Sequence, residues 1–513
     1  GEELENLPVP SVEQAMQGRS AGVFVEAVNG KPGGAIRVRI RGASSISASN
    51  QPLFVIDGIP VTVQAQNASG APLNPLADLN FNDIESIDIL KDASASAIYG
   101  SRAANGVVLI TTKKGKAGTS KIDFNYQVGT SRPTGYREFL NTSEYIELFT
   151  EAAVNLDEIE GNVPGGFTWK DWVEARFDRY SGPSDWRTGQ TDTDWQALAF
   201  EDNPISQQAN LNISGGNNTT TFYAGLGFSD QQGILKNNGF ERMSARLNLD
   251  HKASDKLTVG LNFSLARTFT DQVSNDNAFS TPLQLIAQSP LTPDRNYTND
   301  PFESGSRLIQ PGELFDRPTA VYYNGLIELE ESQRNVVSYR TLANGYARLQ
   351  LAPGLVLNGE IATDIYNLRD DLFQGSITFG GQASNGYAYS RANQILNYNT
   401  KLFANYAKSF GNHNVDLTLG TEYQDSRTQN TDSEGQQFPV DDLKTIASAA
   451  DITGGSSFLT EFTFVSYFTR VNYNFNRKYL LSFSGRVDGS SRFGTNNRYG
   501  FFPAASLGWV LSE

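Results

Sequence analysis

The sequence contains no cysteine and only two histidines, and these two shortages remove several kinds of chemistry. Without cysteine the chain cannot form a disulfide bond or a thiolate metal site. His251 and His413 fall in predicted short turns far apart in the sequence, and neither belongs to an HExxH motif or another metal-binding spacing. We therefore expect no metal and no cofactor. A Ser-His-Asp triad stays open, because its members come together only in space.

Positive charge is also scarce. The 41 Lys and Arg residues against 56 Asp and Glu residues give a formal net charge of −15, whereas a nucleic-acid-binding protein needs a basic surface. The glycine-rich stretch Gly30–Gly34 lacks the GxxxxGK[ST] pattern of a phosphate-binding loop. These patterns argue against nucleic acid as a partner and against nucleotide chemistry, and no motif marks the chain as an enzyme.

Long apolar runs are missing as well. No segment approaches the roughly 18 apolar residues of a transmembrane helix. No signal peptide precedes the chain, so we expect it to be mature, truncated at its start, or cytosolic. A transmembrane β-barrel stays open, because its lipid-facing residues alternate with polar ones. A content of 39% hydrophobic residues, 11% aromatic residues and 47 glycines suits many strands that are apolar on one face.

Residues 1–116 predict a small α+β domain. Ile36–Arg41 alternates, with apolar residues on one face and Arg37, Arg39 and Arg41 on the other. Within Ile84–Lys116 the pattern predicts a strand, a helix that begins after Asp92 and ends at Gly100, and a closing strand. Further predicted elements are a helix at Ser11–Gly18 and strands at Val23–Val28 and Leu53–Ile56.

From Lys121 onward the hydropathy has a period of two over long stretches. In the first of them, Ile122, Phe124, Tyr126 and Val128 alternate with polar residues. About twelve segments of this kind have the roughly ten residues that a tilted barrel strand needs. Short predicted turns alternate with long connections. The turns are predicted at Gly215–Thr219, Lys252–Lys256, Pro353–Gly354, Phe410–Asn414 and Asn474–Arg477, and the long connections at about 132–204, 270–340, 367–394 and 426–460. This asymmetry is typical of an outer-membrane barrel, so residues 121–513 predict antiparallel transmembrane β-barrel strands.

Several segments resemble one known family. Leu90–Lys116, LKDASASAIYGSRAANGVVLITTKKGK, resembles the end of the plug domain of TonB-dependent transporters, and in detail the SusC-like branch of Bacteroidetes. Further segments that resemble this branch are Glu13–Val23, Ile36–Ser47, Pro52–Val61, Thr191–Trp195, Asn212–Ile234 and Phe501–Glu513. The resemblance implies a plug domain at 1–116 inside a barrel of about 22 strands. Residues 121–513 would then supply the first half of that barrel, and the chain would be a fragment of a longer protein.

The resemblance also implies a function and a set of partners. It implies active import across the bacterial outer membrane, with TonB (and ExbB and ExbD) supplying energy, a SusD-like surface lipoprotein as a lid, and outer-membrane lipid around the barrel. An oligosaccharide is the first substrate class and a peptide the second, with a siderophore or cobalamin receptor as the alternative. A dimer of transporter–lid pairs stays open. An adhesin or passive porin would lack the plug, and a polysaccharide-active enzyme would need paired catalytic carboxylates.

Candidate substrate contacts lie in two plug loops and in aromatic residues of the first long connection, because ligand sites combine aromatic surfaces with a few polar groups. The predicted contacts are Ser44, Ser45, Ser47, Asn50, Gln51, Gln64, Gln66, Asn67, Asn74, Trp169, Trp172 and Trp186. We also expect Arg37, Arg39 and Arg41 to dock on carboxylates of the barrel interior, against the alternative of a solvated strand face.

Overall fold

The residues that the structure describes form four β-sheets and several helices, the longest of which has 19 residues. The computed structural model describes residues 11–46, 49–61, 73–74, 76–92, 96–161, 166, 168–182, 184–272, 283–304, 307–315 and 324–511. Within these ranges, no helix is both long enough and apolar enough to cross a membrane. The described residues also contain no group of three His, Asp or Glu side chains arranged to hold a metal ion.

The first part of the chain forms two small sheets. Its elements are α1 (Val12–Met16), β1 (Val23–Ala27), β2 (Ile36–Ile40), β3 (Leu53–Ile56), β4 (Ile59–Val61), a 3₁₀ turn (Phe81–Asp83), β5 (Ile84–Leu90), a 3₁₀ stretch (Ala97–Ala103) and β6 (Val107–Thr112). β1 pairs with β2, and the other four strands form a sheet in the order β4-β3-β6-β5. Val38, Phe54 and Ile110 are at most 2% exposed and share one apolar core with α1. We call this unit, α1 and β1–β6, the plug.

The predicted helix between β5 and β6 ends at Gly100 as expected, but it is a 3₁₀ stretch from Ala97 onward. The Ser96 N–H donates to the Asp92 carbonyl at 3.0 Å, and Gly100 has φ 61° and ψ −142°. An α-helix cannot continue through that backbone conformation. Asp92, the predicted N-cap, accepts a hydrogen bond from Arg41 at 2.6 Å. Residues 93–95 lie outside the described residues.

From Gly118 onward, twelve strands form one antiparallel sheet in sequence order, which confirms the predicted strand number. We call these twelve strands the wall; β12 and β13 form a separate hairpin. The elements are β7 (Gly118–Thr130), α2 (Thr142–Glu160), α3 (Trp169–Ser181), α4 (Trp195–Ala199), β8 (Ile205–Gly216), β9 (Thr220–Gln232), β10 (Gly239–Lys252), β11 (Leu257–Asp271), α5 (Leu283–Ile286), β12 (Phe302–Ser304), β13 (Arg307–Ile309), α6 (Gly325–Glu331), β14 (Ser332–Ala352), β15 (Leu355–Gln374), β16 (Tyr387–Phe410), β17 (His413–Gln436), β18 (Asp451–Phe475), β19 (Tyr479–Ser490) and β20 (Tyr499–Trp509).

The wall is polar on the face that packs against the plug and apolar on the other face. On β10, Arg246 and Asn248 are 4% and 1% exposed, whereas Leu247 between them is 39% exposed. On β17, Glu422 is 4% exposed and Leu419 is 62% exposed. A sheet in water would bury its apolar face instead. This inverted pattern indicates a barrel wall with lipid on its outer side.

Five short turns, all on one side of the wall, lie where the sequence predicts them. They occupy residues 217–219, 253–256, 353–354, 411–412 and 476–478. In the first, the Asn217 side chain accepts hydrogen bonds from the backbone N–H groups of Thr219 and Thr220. In the third, Gly354 has a φ of +80°, which favours glycine. We call this side the lower side and the side of the long connections the upper side.

Two of the four predicted long loops are wrong over most of their length. The predicted loops 367–394 and 426–460 are largely strand, because β15–β18 continue through them and leave connections of only 375–386 and 437–450. Ser426–Gln436 contains no apolar residue, so a period of two in hydropathy could not identify it as strand. Backbone pairing with β16 and β18 holds it extended. The predicted loop 270–340 ends early, because β14 begins at Ser332.

The wall therefore has two heights. The strands β14–β18 have 20–25 residues each. The other seven strands have 11–15 residues each. Because roughly ten residues suffice to cross a bilayer, the upper halves of β14–β18 extend beyond the membrane. The first long connection is helical instead, and α2 begins with a capping box formed by Asn141 and Glu144.

Candidate functional site

The 3₁₀ stretch of the plug docks on β17 and β19 through three consecutive residues. Gly100 has a φ of +61°, and a Cβ at this position would lie 1.9 Å from the Asp488 carboxylate, so the contact requires glycine. The backbone N–H of Ser101 donates to the same carboxylate at 3.0 Å. Arg102 Nη2 donates to Glu422 Oε1 at 3.0 Å. Three consecutive residues thus contact one position of the wall. Gly100 leaves room for the Asp488 carboxylate, Ser101 binds it through its backbone N–H, and Arg102 supplies a cation to Glu422.

Glu422 is the centre of a buried charged network. Its carboxylate accepts hydrogen bonds from Arg102 of the plug and, at 2.7 Å, from Arg486 of the wall. Arg486 also donates to Asp488 at 2.6 Å and to the Ile98 carbonyl of the plug at 2.6 Å. The side chains of Glu422, Arg486 and Asp488 are only 3–4% exposed. Because a buried charge that loses its partner costs about 3–5 kcal/mol, this network fixes the position of the plug.

In a second buried network, Arg246 of the wall contacts residues at the lower ends of the plug strands β3, β5 and β6. Arg246 Nη1 lies 3.3 Å from Asp57, which follows β3, and its Nε lies 3.5 Å from Asp83, which precedes β5. Thr112, the last residue of β6, donates to Asp57 through its backbone N–H at 2.9 Å and its hydroxyl at 2.6 Å. Tyr223 of the wall donates to Asp83 at 2.8 Å. This arrangement ties the plug sheet to β9 and β10.

A third contact joins Asp78 of the plug to β14. Arg340 Nη1 lies 3.6 Å from the Asp78 carboxylate, and the Ser338 hydroxyl donates to it at 3.2 Å. Arg340 is itself held by Asp364 through two hydrogen bonds of 2.9 and 2.8 Å. Burial raises the pKa of Asp78 to about 6, although the neighbouring Arg340 charge opposes the shift. Asp78 is thus a plug carboxyl whose protonation state can change near neutral pH.

Four of the predicted substrate contacts lie together in the loop that leads into β3. The Asn50 side-chain oxygen accepts hydrogen bonds from the backbone N–H groups of Ser44 at 2.8 Å and Ser45 at 2.9 Å. The Gln51 side chain forms two hydrogen bonds of 3.1 Å with the backbone of β2. Ser44 is exposed and the other three residues are half-buried. These hydrogen bonds fix the loop, and contact with substrate stays a prediction.

The remaining predicted plug contacts are Ser47, Gln64, Gln66, Asn67 and Asn74. Ser47, Gln64, Gln66 and Asn67 lie outside the described residues. Asn74 is 6% exposed, and its side-chain oxygen accepts a hydrogen bond from the backbone N–H of Leu76 at 2.9 Å. Burial raises the pKa of Glu13, and hydrogen bonds from its own backbone, Asn74 and Ser11 oppose this shift. Asn74 therefore organises the plug interior, and its contact with substrate also stays a prediction.

The three predicted tryptophans all belong to the pair of helices α2 and α3 and the turn that follows. The ring centroids of Trp169 and Trp172 are 5.8 Å apart, and the Arg176 guanidinium lies 3.8 Å from the Trp172 ring. Trp186 Nε1 donates to Asp178 at 2.7 Å. Trp172 is 43% exposed, whereas Trp169 and Trp186 pack against the apolar cluster between the helices. Of the three, Trp172 offers the most surface to a ligand.

The arginine face of β2 has no ion pair to the wall among the residues that the structure describes. Arg41 pairs with Asp92 of the plug at 2.6 Å, and both side chains are more than half exposed. Arg37 is exposed and Arg39 is half-buried on the same face of β2. Docking of this face on barrel carboxylates stays a prediction.

The residues that hold plug and wall together were not among the predicted site residues. Glu422 lies within Val415–Tyr423, one of the segments whose hydropathy has a period of two, on the face whose alternate residues point inward. That alternation could have marked Glu422 as an inward charge. The partner could not be inferred, because Arg102 lies 320 residues away in the sequence. Asp57 likewise appeared in the sequence only as a turn residue.

Comparison with known proteins supports the resemblance seen in the sequence. Residues 1–107 match the family model for the TonB-dependent Receptor Plug Domain. The chain is 32% identical over 518 residues to TonB-dependent receptor P3 of Formosa agariphila, a match that covers 100% of this chain and 46% of that protein. It is 30% identical over 529 residues to TonB-dependent receptor SusC of Bacteroides thetaiotaomicron, covering 100% of this chain and 49% of SusC. The chain thus spans about half the length of the curated relatives it matches.

Comparison of the fold with solved structures also indicates a TonB-dependent transporter. The structure of the RagAB peptide transporter is similar to 98% of this chain with a TM-score of 0.79 and 25% identity, and the match covers 56% of that transporter chain. The plug match, the similarity along the whole chain and the inverted polarity of the wall agree with one another. The chain belongs to the TonB-dependent receptors of the bacterial outer membrane, in their SusC-like branch.

Proposed function

We propose that this protein imports a nutrient across the outer membrane in a TonB-dependent process. The observation that carries the proposal is the nature of the contact between plug and wall, which is largely made of buried charged and amide groups such as Arg102 with Glu422 and Asp57 with Arg246. Such a contact can separate and re-form when water enters, without exposing a large apolar surface. Residues 1–116 act as the plug, residues 121–513 supply wall, and a pull on the plug opens a path between them.

Partners follow from this function. TonB, with ExbB and ExbD, pulls on the plug from the periplasm. A SusD-like surface lipoprotein covers the upper side as a lid, and the tall strands β14–β18 and the helices α2 and α3 offer it contact surface there. Ser44, Ser45, Asn50 and Gln51 of the plug meet the substrate beneath the lid, next to the fully exposed Ile46, and Trp172 offers a further contact from α3.

For the substrate we place an oligosaccharide first, because the predicted contacts combine amide and hydroxyl groups with tryptophan rings. A peptide is the second candidate, favoured by similarity to RagAB, which is a peptide transporter. Mass spectrometry of the ligand that co-purifies with the full-length protein separates the two. A series of hexose-containing oligomers supports the first candidate and a peptide series the second. An iron–siderophore complex would overturn both.

An engineered disulfide between plug and wall tests the import mechanism. The chain has no cysteine, so a pair introduced by Asn80→Cys and Asn210→Cys, whose native side chains form a hydrogen bond of 2.9 Å, meets no competing thiol. We expect the oxidised double variant to lose uptake of the co-purifying ligand and the reduced form to regain it. Each single variant is a control and keeps uptake under oxidation. Undiminished uptake with the disulfide fully formed would overturn the proposal.

A further inference from the structure

The inward face of β18 carries aromatic rings. Ser466 lies opposite Glu422, the wall residue that contacts the plug, so alternate residues of β18 above and below Ser466 face the plug side as well. Four phenylalanines belong to this face, and we call them the aromatic column: Phe458, Phe462, Phe464 and Phe468. Barrel interiors are usually polar, so the aromatic column is an exception to the general pattern.

The three upper rings of the aromatic column each lie opposite a polar side chain of β17. Asn430 pairs with Phe458, Ser426 with Phe462, and Gln424 with Phe464. Side chains directly opposite one another in an antiparallel sheet have Cβ atoms about 5 Å apart, so each ring has hydrogen-bonding groups beside it. Ligand sites combine aromatic surfaces with a few polar groups in this way. The combination suits a sugar ring, whose face is formed by C–H groups and whose edge is formed by hydroxyl groups.

The burial of the aromatic column increases toward the plug contact. Phe458 is 57% exposed, Phe462 and Phe464 are half-buried, and Phe468 is 8% exposed. The Arg102 guanidinium of the plug lies 5.6 Å from the centre of the Phe464 ring. The Phe468 ring lies lower, 5.7 Å from Arg486, within the network that holds the plug. The aromatic column therefore leads from the upper lumen to a position beneath the docked segment Gly100–Arg102.

Arg102 binds to the aromatic column as a sugar ring could. Its guanidinium approaches the Phe464 ring, and its Nη1 donates a hydrogen bond to Gln424, the residue opposite that ring. The docked plug thus shows that one ring and its neighbouring amide bind a flat group with hydrogen-bond donors at its edge. When Arg102 leaves, this ring and this amide become available together.

Two charged residues near the aromatic column leave it accessible. Arg492 follows β19, lies 4.0 Å from the Phe462 ring and is exposed, so its guanidinium adds hydrogen-bond donors beside this ring. Glu461 lies on the opposite face of the sheet, where it pairs with Arg427. The irregular pairing of β17 with β18 occurs at Glu434 and Gly435, above Phe458. The inward surface from Phe458 to Phe468 is therefore one regular stretch of strand.

We propose that the aromatic column is a track along which sugar rings of an oligosaccharide pass from the upper lumen to the plug contact. This inference rests on the proposed import function and gives its substrate a route. Neighbouring rings are two or four residues apart, or about 7 and 13 Å, so a chain of several sugar units touches more than one ring at a time. Because successive sugar units present similar faces, the chain can advance from ring to ring. Release of Arg102 then opens the last part of the track, from Phe464 to Phe468.

Binding of neutral hexasaccharides to the full-length protein in detergent tests the track. The probes are maltohexaose, cellohexaose and xylohexaose, because stacking on a ring depends little on the linkage between sugar units. Phe458→Ala and Phe462→Ala should each weaken binding about fivefold or more, since each removes one aromatic surface. Leu459→Ala is the matched control, because Leu459 is 50% exposed on the opposite face and should not touch the sugar. Equal affinities of the three variants, or no saturable binding of any probe to the native protein, would overturn the proposal.

A second pair of variants separates stacking from general apolar contact. Phe462→Tyr keeps the flat ring and should bind the hexasaccharides as the native protein does. Phe462→Leu keeps an apolar side chain without a flat face and should bind them about threefold or more weakly, with little change in melting temperature. Equal binding by the two variants would overturn the proposal. A capped hexapeptide of alanine and serine has no ring faces and should bind about tenfold or more weakly than the sugars, whereas equal binding would overturn the assignment to sugars.

Phe468 tests the part of the track that the docked plug covers. Phe468→Leu should leave hexasaccharide binding to the docked protein unchanged, because this ring is buried beneath the plug contact. It should slow uptake of the co-purifying oligosaccharide in cells about fivefold, because the sugar reaches this ring after Arg102 has left. A parallel loss of binding and uptake would make Phe468 a packing residue and would overturn the continuation of the track beneath the plug.

Two further outcomes separate this inference from the function on which it rests. Unchanged binding by the variants of the aromatic column, together with loss of uptake in the disulfide-locked protein, overturns the inference alone. A photoreactive group placed at Phe458 in cells should cross-link to the co-purifying oligosaccharide. Cross-linking to the lid lipoprotein instead, or a peptide as the co-purifying ligand, would overturn the assignment of the aromatic column to sugars.

Discussion

Arg102 of the plug and Glu422 of the wall are 320 residues apart in the sequence, and their side chains meet at 3.0 Å. Arg486 holds the second oxygen of the same carboxylate at 2.7 Å from within the wall. If the plug undocks as proposed, Glu422 therefore loses the cation of Arg102 and keeps the cation of Arg486. The same division occurs at Arg340, which keeps Asp364 when Asp78 departs. At these two positions, undocking of the plug does not leave a lone buried charge in the wall, which lowers the cost of opening.

Replacing Glu422 by glutamine should loosen the plug. Arg102 would lose its counter-charge, whereas Arg486 would keep Asp488 at 2.6 Å, and a broken buried pair costs about 3–5 kcal/mol. We expect faster hydrogen exchange in residues 97–106 and a lower melting temperature. Glu461→Gln is the control, because the side chains of its pair with Arg427, at 3.6 Å, are 50% and 58% exposed and the pair should contribute less than about 1 kcal/mol. Equal effects of the two variants would contradict the assignment.

Gly100→Ala should disturb the same contact through the backbone. The new Cβ would lie 1.9 Å from the Asp488 carboxylate, at a residue whose φ of +61° already disfavours a side chain. Ser101 would then be pushed away from Asp488, and limited proteolysis should cut the plug more readily near this position. Gly494→Ala is the matched control, because it has a φ of −59° and no atom within 4 Å of its Cβ position. It should leave the proteolysis pattern unchanged.

Much of the fold, but little of the site, could be predicted from the sequence. The alternation at Ile122–Val128 and in similar segments identifies the strands, because lipid on one side and polar groups on the other give the hydropathy a period of two. The upper part of β17 could not be detected because polar residues occupy both of its faces, so its hydropathy does not alternate. Pairs such as Arg246 with Asp57 depend on how the plug sits in the wall, and local pattern carries no information about that placement.

Asp78 should make docking of the plug depend on pH. Burial raises its pKa to about 6 from an ordinary value of 3.8. A carboxyl with a higher pKa in the folded state binds protons more tightly there, so its contribution favours folding at low pH and is lost as the pH rises from about 4 through about 6. Asp78→Asn stays neutral and removes this contribution. Between about pH 4.5 and about pH 7 the melting temperature of the variant should therefore fall less than that of the native protein. Identical pH profiles would show that Asp78 does not titrate in this range.

The tryptophans of the helical connection should separate into a structural and a ligand-facing group. Trp186 donates to Asp178 at 2.7 Å, and its ring centroid lies 5.1 Å from that of Phe177. Trp186→Phe keeps a ring but loses the donor, which should cost about 1 kcal/mol and speed hydrogen exchange in α3. Trp172→Phe should leave exchange in α3 nearly unchanged and reduce affinity for the co-purifying ligand. The opposite result would exchange the two roles.

A charge placed at two heights of β17 should locate the upper limit of the membrane. Leu419 and Gln429 lie on the same outward face, ten residues apart, and both are exposed in the isolated chain. Leu419→Arg puts a cation into the hydrocarbon region, where it costs about 2–4 kcal/mol near the midplane, so assembly into the outer membrane should fall and unfolding from lipid vesicles should need less denaturant. Gln429→Arg lies in the part of β17 that extends beyond the bilayer, and its assembly and stability should match those of the native protein. Equal damage from both variants would mean that the upper strand halves are surrounded by lipid and that the wall does not extend beyond the bilayer.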